Sequence, residues 1–173
     1  MMHRKFTLTV VIAAACIVGS ARTASAQGNS TDQDTPDKKE VREYALTADK
    51  LTRYENAVKA IVKLTNDNPT LKKQMDAEAA KTPMPTITTS TTVIANHSEV
   101  VSILKQFGFT PREYVVMTFS LISSAGYVSM KKSGISIPMP LTTSAANVAF
   151  TQQYYDRITA VLSTEAGPSD SNN

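Results

Sequence analysis

Apolar residues recur along the middle of this chain at helical spacing, in runs separated by polar or proline-bearing gaps. The first run is Leu51, Tyr54, Val58, Ile61 and Val62. Thr47 stands where an N-cap belongs and Leu46 can staple onto Leu51, so a helix is expected from Thr47 to about Asn66. Asn68-Pro69 opens a second helix, because proline at the first helical position gives up an N–H that would have no partner. Its stripe is Leu71, Met75 and Ala79, and it stops before Thr82-Pro83. A third face, Val93, His97, Val100, Val101, Leu104 and Phe107, has a weak point at Asn96-His97-Ser98 and ends at Gly108. Glycine ends helices in this way by accepting φ > 0.

Thr110-Pro111-Arg112-Glu113 is a capping box with proline at the first helical position, and Phe109 can staple to Tyr114. From Tyr114 to Met130 no residue is charged. A helix apolar nearly all round is either a central core helix or a membrane span. Four serines, Thr118 and Gly126 in that stretch are costly in lipid, so the core is expected, with Leu121 fully buried. The last helix runs from a Ser144 cap to Glu165 on the face Val148, Phe150, Tyr154, Tyr155, Ile158, Val161 and Leu162. Thr82 to Asn96, with six threonines and two prolines, is expected to be a loop with a helical turn near Thr91. Ile135 to Thr143 is a second proline-bearing loop. The fold class expected is all-α, an irregular antiparallel bundle of four to five short helices over residues 44–166.

The ends read differently. His3, Arg4 and Lys5, the apolar run Leu8 to Gly19 and then Ala24-Ser25-Ala26 are the three parts of a secretory signal peptide, residues 1–26. The apolar run is too short for a bilayer, which takes about 20 residues, so no membrane span is expected in the mature chain. Destination is the periplasm or the exterior. A lipoprotein cut before Cys16 is the minority alternative, since the leucine usual at −3 is replaced in Ala13-Ala14-Ala15. Residues 27–43 are polar and charged and are expected to form a disordered leader, and residues 167–173 a disordered tail.

Charge and cysteine usage exclude several functions. The chain has 18 Lys plus Arg and 15 Asp plus Glu; the signal holds three of the former and none of the latter, leaving 15 of each. The basic surplus is the signal's, so no nucleic-acid partner is expected. Cys16 is the sole cysteine, so the mature chain has no disulfide and no thiolate, and its stability must come from its core.

Gly108-Phe109-Thr110-Pro111-Arg112-Glu113-Tyr114 and Asn147-Val148-Ala149-Phe150 loosely resemble segments of small, uncharacterised exported helical proteins of bacteria. The resemblance implies export and helices, and brings no activity or catalytic residue with it. His97 is the one histidine of the mature chain. No nucleophile elbow, phosphate loop, dinucleotide fingerprint or His-Glu-x-x-His accompanies it. No enzyme and no cofactor are expected. One local feature could carry chemistry. Pro83-Met84-Pro85 and Pro138-Met139-Pro140 both fall in loops. If helices alternate in direction, those loops share an end with His97. Met84, His97 and Met139 would then be soft ligands for Cu(I). The plainer expectation is that both methionines cover the end of the core. The function expected is binding of a protein, peptide or envelope component, with a small-ligand or copper carrier as the alternative.

Overall fold

The computed structural model describes residues 34–81 and 84–166. The expected signal peptide, most of the expected leader, the expected tail and the Thr82-Pro83 pair lie outside the described residues. The described chain is all helical. The order is α1 (Pro36–Glu43), α2 (Ala48–Asp67), α3 (Pro69–Ala80), α4 (Ile87–Ala95), α5 (Ser98–Gln106), α6 (Pro111–Lys132), α7 (Ala145–Gln153) and α8 (Tyr155–Ala166). No described helix is long and apolar enough to cross a membrane.

Eight helices among the described residues stand where four or five were expected, and three local causes account for the difference. The expected leader is helical from Pro36: Thr35 caps it, accepting from the Lys38 amide at 3.3 Å. One apolar residue is enough to dock it. Val41 is buried, and its carbonyl accepts from the Ser120 hydroxyl at 2.8 Å. The threonine-rich stretch is helical too. Thr86 Oγ1 accepts from the Thr89 amide at 3.1 Å while the Thr86 amide donates to Thr89 Oγ1 at 2.9 Å. This is a capping box with threonine in place of the usual Glu or Gln, and Ile87 is buried behind it. Third, the last helix is divided at Tyr154, whose φ of −112° and ψ of 22° leave the helical region.

The predicted starts of α2, α3, α6 and the last helix are capped by Thr47, Asn68, Thr110 and Ser144. The weak point at Asn96-His97-Ser98 is the joint between α4 and α5. At the end of α5 the Phe109 amide donates to the Leu104 carbonyl at 2.9 Å and the Gly108 amide to the Lys105 carbonyl at 3.0 Å. These are the two bonds of a Schellman motif. Gly108 has φ +73°, and a Cβ there would sit 2.7 Å from Arg53 Nη1.

Helix α6 is the hub, touching α1, α4, α5, α7 and α8. Tyr114, Met117, Leu121 and Ala125 face the main core, which Leu51, Tyr54 and Val58 of α2, Leu104 of α5 and Ile158 of α8 complete. Val115 and Val116 face a second cluster with Val41 and Ile87. Leu121 is fully buried. Asn147, also buried, joins the two ends of the chain. Its Nδ2 donates to the Tyr44 carbonyl at 2.9 Å, and its Oδ1 accepts from the Leu46 amide at 3.3 Å.

Candidate functional site

The three soft ligands named from the sequence have different surroundings. His97 is buried at the N-cap position of α5, and its Nε2 faces Glu78 Oε2 of α3 at 3.5 Å. Asn96 Nδ2 donates to the same oxygen at 3.3 Å. Met84 is 80% exposed and Met139 45%, so Met84 covers no core. Between the two Pro-Met-Pro motifs the chain forms three helices, α4, α5 and α6, rather than two. Alternation placed both loops at one end with His97 by counting two helices, so it no longer brings Met84, His97 and Met139 together. Among the described residues no group of three or more His, Cys, Asp or Glu is placed to hold a metal ion.

The sequence reading passed over the acid of the last helical turn. Glu165 Oε2 lies 2.6 Å from the Tyr54 hydroxyl oxygen and Oε1 2.8 Å from that of Tyr114. Tyr54 and Thr118 hydroxyls are 2.8 Å apart, and Thr118 Oγ1 is 3.0 Å from the Tyr114 carbonyl. The two tyrosine rings stack with centroids 5.1 Å apart. Burial holds the Glu165 carboxyl above its ordinary value, against the pull of the two hydroxyls. The same burial, reinforced by the carboxylate, pushes both tyrosine hydroxyls well up.

Proton accounting agrees with that direction. A carboxylate takes the Tyr54 and Tyr114 protons, and the Thr118 hydroxyl must then choose between Tyr54 and the Tyr114 carbonyl. A neutral carboxyl adds one proton, and all four contacts fill in sequence: Glu165 to Tyr54, Tyr54 to Thr118, Thr118 to the Tyr114 carbonyl, and Tyr114 back to Glu165. A buried acid with a raised pKa is a common mark of a catalytic site. Here both carboxyl oxygens are occupied by protein hydroxyls, which gives the group a structural task. A position in the last turn, where the helix dipole disfavours an acid, was the available signal.

The surface offers a clearer candidate. Of the six large apolar side chains exposed among the described residues, five fall between positions 122 and 141: Ile122, Met130, Ile135, Met139 and Leu141. Ile122 and Met130 share a face of α6 with Gly126, where an added Cβ would meet nothing within 4 Å. Gly134, at φ +76°, ends α6 with a second Schellman motif: the Ile135 amide donates to the Met130 carbonyl at 3.0 Å, and the Gly134 amide to the Lys131 carbonyl at 3.1 Å. The motif at Gly108 buries its flanking apolar residues Leu104 and Phe109; the one at Gly134 leaves Met130 and Ile135 exposed.

The loop that follows folds back along α6. The Thr142 and Thr143 hydroxyls each lie 2.6 Å from Ser123 Oγ. Its two anchors on α6, Met130 and Ser123, are about 10 Å apart along the helix. The chain from Ile135 to Thr142 can reach about 23 Å, so it is not drawn taut, and Ile135, Ser136, Pro138, Met139 and Leu141 along it are exposed. Pro138 and Pro140 keep Met139 extended within the loop. Arg42, held by Asp34 at 3.0 Å, donates to the Leu141 carbonyl at 2.9 Å and fixes the far end of the loop. Beside Lys132, a hollow of about 260 Å³ lies at the α7–α8 corner, lined by Gln152, Gln153, Tyr154, Tyr155, Asp156 and Arg157.

No family model matches this chain, and neither the curated proteins nor the solved structures contain a match.

Proposed function

We propose that this is an exported, non-catalytic helical protein that works by binding, and that the apolar strip of α6 and the loop after it is where it binds. The observation that supports the reading is the concentration of exposed Ile122, Met130, Ile135, Met139 and Leu141 on one anchored strip. Scattered apolar residues are normal on a surface, whereas a contiguous patch marks an interaction site. Export is supported by the three-part N-terminus described above. The partner is a protein, a peptide or an envelope component.

A photo-crosslinking residue tests the site in the producing cell. Placed at Ile135 or Ile122, it is expected to give a discrete adduct; placed at Lys59, an exposed residue of α2, it is expected to give none. Equal yields at all three positions, or no adduct from the strip, would overturn the reading.

A further inference from the structure

The charge pattern around the strip narrows the partner. From Tyr114 to Tyr155 the chain carries Lys131 and Lys132 and no other charged residue. Both lysines sit between Met130 and Ile135, the two residues that the Gly134 motif leaves exposed. Each has a tyrosine beside it: Lys131 Nζ is 5.7 Å from the Tyr127 ring centroid and Lys132 Nζ is 3.8 Å from that of Tyr155. The next charges along this surface come in both signs, Arg42 with Asp34 at the loop's far anchor and Arg157 with Asp156 across the hollow. The strip is therefore apolar, edged by two cations and two amphipathic rings, with no acid of its own.

Resting on the binding reading, we propose that this strip docks onto an anionic lipid surface. Ile135, Met139 and Leu141 enter the boundary between headgroups and acyl chains, while Lys131 and Lys132 meet the phosphates. Three features select a lipid surface over a folded partner. Ile135, Met139 and Leu141 stand exposed along a loop, and exposed loop side chains suit a deformable medium. These exposed residues are two β- or γ-branched aliphatics and a methionine, with no aromatic ring to anchor in a protein pocket, the usual centre of a protein interface. The cations and tyrosines lie at its edge, where interfacial segments place them. A second copy of this chain would bring two more lysines to the same place and no acid to meet them.

Flotation of the protein purified from its exported fraction tests the assignment. The probes are vesicles of phosphatidylglycerol with phosphatidylcholine, and of phosphatidylcholine alone. Binding is expected to the first and not to the second. It should weaken as salt is raised to about 0.5 M, where the screening length is roughly 4 Å. Lys131→Gln and Lys132→Gln should each lower the affinity roughly fivefold, the worth of one lysine at an anionic surface. The double variant Ile135→Ser/Met139→Ser should lower it by at least about tenfold. All four positions are exposed, so unchanged melting temperatures are expected and serve as the folding control. No flotation with anionic vesicles, or flotation that all the variants share with the parent, would overturn the lipid assignment. If the Ile135 crosslinker then gives an adduct with a protein or with a second copy, binding by the strip stands and the lipid assignment alone falls. If it gives no adduct, both fall.

Discussion

Glu165 and its two tyrosine hydroxyls show how much one side chain can hold together. It joins α8 to Tyr54 of α2 and Tyr114 of α6, residues 111 and 51 positions away. Its folded pKa is raised above the ordinary carboxylate value by burial, so the folded state holds the proton more tightly than the unfolded chain. The contribution to stability is then fully present below the unfolded value, about 4.3, and is lost as pH rises through the folded one. Glu165→Gln keeps the pattern of the neutral acid, with a donor toward Tyr54 and an acceptor toward Tyr114. Its melting temperature is expected to match the parent's at about pH 4 and to exceed it increasingly as pH rises toward 7. A constant difference at every pH would show that the carboxyl is not strained by burial.

At the scale of elements, α6 behaves as two helices in one. Its first half is buried from Tyr114 to Leu121 except for the half-buried Phe119, with two separate apolar clusters drawing on adjacent faces. Its second half keeps Ser124, Ala125 and Val128 inside but exposes Ile122, Gly126, Ser129 and Met130. The uncharged sequence is the same in kind throughout, and what differs is the number of neighbours. Leu121→Ala is expected to cost about 2–5 kcal/mol, as buried Leu-to-Ala changes do when the surroundings cannot collapse. Urea melting measures it, and a loss below about 0.5 kcal/mol would place α6 outside the core.

Over the whole molecule, contacts of long sequence separation close the fold. Asn147 ties the segment between α1 and α2 to the start of α7, some 100 residues on. Arg112 holds α1 from the other side, its Nε donating to Glu40 Oε1 at 3.1 Å. Asn147→Ala leaves the Leu46 amide and the Tyr44 carbonyl without those partners. The expected cost is about 1–3 kcal/mol for each group left unsatisfied in the interior. Hydrogen exchange should locate it, with protection lost first in α1, which has Val41 as its one buried residue. Equal loss in α1 and α2 would mean that Asn147 supports the core at large.

The amino-acid sequence determined whatever rests on partners a few residues apart. Caps at Thr47, Asn68, Thr110 and Ser144, the glycine stop at Gly108 and the buried centre of α6 were all legible, because each depends on a periodicity or a bond within one or two turns. The joint at Asn96-His97-Ser98 was visible for the same reason. Tertiary structure alone decided the rest. A single Val41 docks α1 because Ser120, 79 residues away, bonds its carbonyl. Thr86 and Thr89 cap each other, but burial of Ile87 against another element fixes α4 as helix against the β-propensity of its threonines. That added helix removes the alternation argument that put both Pro-Met-Pro loops at one end, and with it the sequence-based case for Met84, His97 and Met139 as one site. Glu165 finds its partners on α2 and α6, and the strip from Ile122 to Leu141 is exposed because no other described element covers it. Local chemistry writes where a helix starts and stops; what a helix faces depends on residues that meet only when the chain has folded.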